Sequence, residues 1–461
     1  MAKKTLWETY TPELKNEMTT FCEDYKKHLS ECKTERECVT DMIARAEKYG
    51  YQDLDKLVAA GTQLKAGDKV YAANRGKMLV LVQVGTTPIT EGVNILGAHI
   101  DSPRLDLKPN PLYEDAGLAM LKTHYYGGIK KYQWVALPLA LHGVVAKKDG
   151  SVVNIVIGED PGDPVLGISD ILPHLGKDQA GKKLGEAFTG EDLNVCIGSI
   201  PSCEEDDDKA SVKATILAML KDKYDIEEED FLSAELEIVP AGPARDYGLD
   251  RSMVMGYGHD DRICGYTSFM AMMDCPNAAK TLVTVLTDKE EVGSIGATGM
   301  HSRFFENVIA EVMELVGDYS DLKLRRAMAA SKMLSSDVSA AFDPNFPGVS
   351  ERNNCPFFGF GPAFFKYTGS RGKSGSNDAT AEYIAELRKL YEEEEIAFQM
   401  GELGKVDQGG GGTIAYIPAQ LSMDVIDMGI PLHNMHAPYE IASKVDIYEA
   451  YRAYKAFLTN L

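Results

Sequence analysis

Cysteine is scarce in this 461-residue chain: there are eight, and no two of them form a C-x-x-C pair. That spacing argues against a disulfide framework and a structural zinc ribbon, so reduced, buried thiols in a cytoplasmic protein are expected. Long apolar runs are missing too. The longest, "WVALPLALHGVVA", has 13 residues, is broken by Pro138, His142 and Gly143, and is too short to span a bilayer. The N-terminal "MAKKTLWETYTPELKNEM" has two lysines before Thr5 but no apolar stretch behind them, so no signal peptide is expected. Positive charge is in deficit: 48 Lys plus Arg stand against 70 Asp plus Glu, a formal net charge of -22. Nucleic acid and anionic membrane repel a polyanion, which argues against both as partners. No internal repeat of about 20 to 50 residues appears. No Gly-, Ser- and Pro-rich stretch is long enough to be a free linker.

What is present can fill a core: 44% of residues are hydrophobic and 26% charged. The length suits two or three domains of about 150 residues each. Apolar runs alternate with amphipathic segments, the α/β pattern. Helical periodicity runs through "ELKNEMTTFCEDYKKHLSECKTERECVTDMIARAEKYG" and again through "DIYEAYRAYKAFLTNL". Strand-like runs include "KMLVLVQVG", "VNILGAHID", "TLVTVLTD" and "MDVIDMGI". Residues 106–245 differ in texture, with short strand patterns such as "SVVNIVIGED" and "AELEIVPAG" and the charge run "CEEDDDKAS", read as a solvated loop. This stretch is expected to form a β-rich domain inserted into an α/β domain made of residues 1–105 and 246–461.

Acid- and histidine-bearing motifs follow the apolar strands or open a helix. "NILGAHIDSPRL" places His99 and Asp101 just past a strand, a spacing that suits a metal-binding imidazole held by a carboxylate. "GYGHDDRICGYTS" sets Asp260 and Asp261 before a helical pattern; one aspartate suffices as a cap, leaving Asp261 to turn elsewhere. "LVTVLTDKEEVGS" ends a buried-strand pattern with Glu290 and Glu291. In an extended chain neighbouring side chains face opposite ways, so one can bind a metal while the other reaches a water. "MLSSDVSAAFDPNF" adds Asp337, and "VIDMGIPLHNMHAPYE" adds His433 and His436. Ligand sites in open α/β sheets gather at the carboxyl ends of strands, so His99, Asp261, Glu291, Asp337 and His436 are expected to converge. All five are N or O donors, which suits zinc, cobalt or manganese. Five ligands exceed a single catalytic zinc and fit two ions bridged by one carboxylate. The glycines 409–412 in "DQGGGGTIAYIPA" lack the lysine of a phosphate loop, so ATP is not expected; a turn or a close backbone approach to substrate are the alternatives. His174, in "ISDILPHLGKDQAG", reads from the residues alone as a structural or surface histidine.

Taken together and in order, "GAHIDSPRL", "GHDDRICGYTS", "TDKEEVGS", "SSDVSAAFDPNF" and "NMHAPYE" resemble the aspartyl aminopeptidase and vacuolar aminopeptidase I family of di-zinc exopeptidases. The resemblance covers nearly the whole chain. It implies a mixed-sheet α/β zinc-exopeptidase domain interrupted by a β-rich dimerisation domain, with dimers building a hollow tetrahedral dodecamer. By the same resemblance, His99, Asp261 and Asp337 hold one zinc, and Asp261, Glu291 and His436 the other. Asp101 orients His99, and Glu290 is the general base acting on a water shared by the two metals. His174 matches a histidine that reaches a neighbouring subunit's site, and Lys366, in "GPAFFKYTG", matches a lysine at the substrate pocket. The implied reaction removes the N-terminal residue, acidic or neutral, from short peptides with a free amino terminus. A related di-metal deacylase or carboxypeptidase, and a non-catalytic oligomeric scaffold, are the competing readings.

Overall fold

The computed structural model describes residues 4–202, 210–276 and 278–461. Residues 203–209, which carry most of the charge run read as a solvated loop, lie outside the described residues. The chain forms two compact units: one of Met1–Ser102, Ala244–Met435 and Glu440–Leu461, the other of Pro103–Pro243 with His436–Tyr439. The inserted stretch expected at 106–245 therefore starts and ends slightly earlier, and the second unit also takes in a four-residue segment from near the C-terminus.

In the first unit, the main sheet orders its described strands Gln52–Asp53, Lys69–Asn74, Met78–Gln83, Thr281–Thr287, Val93–His99, Lys332–Ser335, Asp424–Gly429, Ala363–Phe365 and Gln399–Met400. The strands Thr281–Thr287 and Val93–His99 are buried along their whole length because both faces are covered. Their side chains alternate between two cores. Leu79, Leu81, Leu96, Ala98, Leu282 and Leu286 pack into one, with the helices His259–Met273 and Lys444–Asn460. Val80, Val82, Val93, Ile95, Val283 and Val285 pack into the other, with the helix Phe304–Val316. The period of two that makes a strand also divides its residues between the layers.

Four adjacent strands run parallel: Thr281–Thr287, Val93–His99, Lys332–Ser335 and Asp424–Gly429. Thr287 pairs in register with His99, and Ser335 with both Gly97 and Asp427. The segments after Thr287, His99 and Ser335 therefore leave the sheet at the same edge, which is where the acidic motifs lie.

The N-terminal helical pattern is broken in the structure. One helix spans Pro12–Glu31, with Thr11 accepting the Leu14 N–H, and a second spans Glu35–Lys48. Thr34 and Glu37 form a reciprocal capping box at the break, so a new start signal outweighs the continuous periodicity. In the second unit, the described strands form an antiparallel sheet ordered Val152–Ile157, Leu139–Ala146, Ala234–Pro240, Arg104–Asp115, Leu118–Tyr126 and Val195–Gly198. Among the described residues no helix is long and apolar enough to cross a membrane.

Candidate metal centre

His99 ends its strand with the side chain buried. Its Nδ1 lies 3.0 Å from the Asp101 carbonyl oxygen, which can only accept. Nδ1 therefore carries a hydrogen, and Nε2 is the ring atom that faces the crevice. The Asp101 carboxylate stands 3.4 Å from the same ring nitrogen. It also receives the Glu290 N–H at 3.1 Å and the Glu291 N–H at 3.2 Å. One side chain thus orients the imidazole and anchors the turn that carries the two glutamates.

That turn is a 3-10 turn, Glu290–Val292, entered through Lys289 at φ 70°. It replaces the extended chain expected here, and the neighbouring side chains diverge through the turn's rotation of about 120° per residue. His99, Glu290 and Glu291 offer donor atoms that all lie within 4.8 Å of one another.

Facing His99 Nε2 are Asp260 Oδ1 at 3.2 Å, Glu290 Oε2 at 3.9 Å and Asp337 Oδ1 at 3.9 Å. His99, Asp260 and Asp337 form a second donor group within the same 4.8 Å limit. The expectation for Asp261 is not met. Among the described residues the donor groups around His99 draw on Asp260, while Asp261 is enclosed beside Cys264. The cause lies in the backbone. Gly258, not an aspartate, is the N-cap, in a left-handed conformation at φ 76°. A Cβ there would sit 1.5 Å from the Arg262 guanidinium, so only glycine fits. Asp260 (φ -79°, ψ 106°) and Asp261 (φ -118°, ψ 27°) follow with non-helical angles, and the peptide bond between them is cis. Asp260 is held at its N–H by Glu440 Oε2 at 3.0 Å and at its carbonyl by the Ser102 hydroxyl at 2.6 Å. Neither Glu440 nor Ser102 was singled out from the sequence, although both lie inside quoted motifs.

The electrostatics demand positive charge. Burial pushes the Asp337 carboxyl well above the carboxylate range; Asp261 raises it further and His99 opposes the rise. Burial raises Asp261 in the same way, against the pull of His99. Burial alone would hold His99 neutral, but Asp101, Asp260 and Asp337 outweigh it and raise its pKa well above the ordinary value. An imidazole nitrogen and several carboxylates facing one another is a cation-binding arrangement, the cation being a proton or a metal ion. An N/O set without sulfur suits zinc and its neighbours, so the residues present fit a catalytic zinc site.

The remaining expected residues are held as follows. His436 belongs to the second unit, where its Nδ1 lies 2.9 Å from the Gly128 carbonyl. That carbonyl fixes the hydrogen on Nδ1 and leaves Nε2 as a donor atom. His174 is exposed on a loop of the second unit. Lys366 follows the strand Ala363–Phe365, is half exposed, and has its Nζ 3.8 Å from Asp378 Oδ1. His433 does not join the site; its Nε2 lies 3.0 Å from the Phe342 carbonyl. Of the glycines 409–412, Gly409 and Gly410 serve close approach within the chain. Gly410–Gly411 pairs with Gly369–Ser370, and a Cβ on Gly410 would lie 2.5 Å from the Gly369 carbonyl oxygen.

A parallel α/β core with an imidazole and paired acids at its strand ends is the layout of a metal-dependent hydrolase. The chain belongs to the aminopeptidase I zinc metalloprotease (M18) family, whose profile matches residues 28–458. It is accordingly a zinc metallo-aminopeptidase, and neither a deacylase, a carboxypeptidase nor a scaffold. It is 62% identical over 457 residues to a probable M18 family aminopeptidase 1 of Clostridium acetobutylicum, covering 99% of this chain and 98% of that protein. The crystal structure of an M18 aminopeptidase from Thermotoga maritima superposes with a TM-score of 0.94 at 42% identity, over the full length of both chains. The S. cerevisiae mApe1 dodecamer shares the fold, with a TM-score of 0.77 at 19% identity over 96% of this chain and 97% of that one.

Proposed function

We propose that two zinc ions occupy the crevice, the first held by His99, Asp260 and Asp337, the second by Asp260, Glu291 and His436. Asp260 is the bridge, in place of Asp261. The observation that carries this reading is the 3.2 Å approach of Asp260 Oδ1 to His99 Nε2, two ligand-type atoms that one cation could hold in common. Zinc, when bound, polarises the scissile carbonyl and acidifies the attacking water. Glu290 takes the proton from that water and delivers it to the leaving amine. Asp101 keeps His99 in one tautomer and holds the Glu290 turn at the distance this transfer needs.

The substrates are short peptides with a free amino terminus, acted on in the cytoplasm. Lys366 sets the preference for the first residue. A panel of acidic and neutral aminoacyl chromogenic substrates, assayed with Zn²⁺, Co²⁺ and Mn²⁺, tests this directly. Lys366→Ala should lose activity selectively on the acidic members. Equal loss on every member would mean that Lys366 holds a substrate backbone group instead.

The second unit would pair two chains, and dimers would build a dodecamer like that of the yeast protein. In the dimer, His174 would enter the partner's site as a donor to the developing oxyanion, a role worth about 10²–10³ in turnover. His174→Ala and Glu290→Gln should each be nearly inactive. Co-expressed with different tags, they should recover activity in mixed dimers, where one site carries neither defect. Mixed dimers no more active than the parents would show that His174 does not act across subunits.

A further inference from the structure

A second cluster of ligand-type side chains lies in the first unit, at the turn between the two N-terminal helices. His28 is in the last turn of the helix Pro12–Glu31, and Cys32 caps it. Cys38 and Asp41 follow on the helix Glu35–Lys48. Spacings of four (28, 32) and three (38, 41) put each pair on one helix face, and the capping box at Thr34 folds the two faces together. His28, Cys32 and Cys38 are all buried. His28, Cys32 and Asp41 offer donor atoms that lie within 4.8 Å of one another. The Cys38 sulfur is 3.9 Å from the Cys32 carbonyl oxygen.

The imidazole is set up as a ligand. Its Nδ1 lies 2.8 Å from Asp41 Oδ2, a carboxylate that Arg45 Nε holds at 2.8 Å. This is the arrangement that orients metal-bound histidines. The other nitrogen, Nε2, is fully enclosed, and no nitrogen or oxygen among the described residues bonds it; the Cys38 thiol is its neighbour. A buried polar atom left in this state is costly unless something binds it. The thiols complete the set, because the Cys38 side chain is in contact with those of both Cys32 and His28. An imidazole beside a thiol is the setting that yields thiolates.

We propose that His28, Cys32 and Cys38 form a metal site separate from the catalytic crevice, taking a thiophilic divalent cation of the zinc class, with Asp41 orienting the imidazole. One nitrogen and two sulfurs match zinc-type coordination and disfavour magnesium and calcium. The H-x3-C-x5-C spacing contains no C-x-x-C pair, so a motif reading passes over it. The site also has a structural consequence. Arg262 donates to the Cys32 carbonyl, and its other donors bind the Gly258 carbonyl at 3.1 Å and the Tyr257 carbonyl at 2.9 Å. A cation at Cys32 would brace the helical hairpin against the segment that leads into Asp260.

Sulfur makes the test specific, because the catalytic donors contain none. The full-length protein is stripped with a chelator, refilled with Co²⁺, and its near-ultraviolet absorption is recorded. Sulfur-to-cobalt charge transfer should appear in the wild type and in a Cys355→Ser control, and should be lost in Cys38→Ala and Cys32→Ala. The wild-type spectrum decides the question even if a variant fails to fold. No charge-transfer band in the wild type, or a band that survives in Cys38→Ala, would overturn the site. So would peptide mapping of freshly purified protein that finds Cys32 and Cys38 joined as a disulfide.

Discussion

Two groups of acids in the first unit are largely withdrawn from solvent and differ in their partners. Asp446, at the start of the C-terminal helix, accepts the Gly359 N–H at 2.7 Å and the Gly361 N–H at 2.7 Å. Nearby, Glu449 accepts from the Ala397 N–H at 2.6 Å, the Tyr10 hydroxyl at 2.5 Å and the Arg452 guanidinium at 2.7 Å. These carboxylates tie distant loops to a helix. Around His99 the acids face one another instead: Asp260, Glu290 and Asp337 all direct oxygens at a single imidazole nitrogen. Burial alone therefore does not mark a functional acid. Anions that converge on each other call for cations, whereas anions met by N–H and O–H donors are already accounted for.

The sharpest way to break this contrast is to change the two adjacent aspartates separately. Asp260→Asn should empty the crevice of zinc and reduce activity to background, whereas Asp261→Asn should keep its metal. Elemental mass spectrometry of both proteins decides it, and metal loss confined to Asp261→Asn would return the bridging role to that residue. Glu290→Gln comes next: turnover should fall about 10²–10⁴-fold with the metal content unchanged. If that variant loses metal too, Glu290 is a ligand rather than the base.

The smallest effect belongs to the other group. Asp446→Asn should retain zinc and lose about 1–3 kcal/mol of stability, the scale of one buried acceptor. Its pH dependence has a definite sign. Burial raises Asp446 from 3.8 to about 7, against the opposing pull of the Gly359 and Gly361 N–H groups. An acid whose folded-state pKa is raised contributes stability below its unfolded pKa and loses it as pH climbs to the folded value. The deficit of Asp446→Asn relative to the parent should therefore shrink between pH of about 4 and about 7. Urea titrations across that range test this, and a deficit that grows with pH would contradict the assignment.

Much of the scaffold was legible because burial on both faces writes itself as mainly apolar, β-branched runs: "TLVTVLTD" and "VNILGAHID" are strands where the pattern put them. The acids after those runs were legible for the same reason, since strand ends are where parallel sheets place ligands. The choice between Asp260 and Asp261 was not. It depends on Gly258 adopting a left-handed cap, which the side-chain pattern does not record. Glu440 and Ser102 escaped notice because a residue that holds another's backbone needs only a common polar group. The break at Cys32–Thr34 was hidden by helical periodicity continuing across it, although Thr34 and Glu37 had the capping spacing.

Asp101 joins parts of the chain 189 and 190 positions apart, because the carboxylate beside the His99 imidazole also takes the N–H groups of Glu290 and Glu291. The two loops therefore share one degree of freedom. Neither can be adjusted alone, so the separation between the imidazole and the glutamate pair is set by the bite of a single carboxylate. Alterations on either strand end must move the whole assembly in step or detach it.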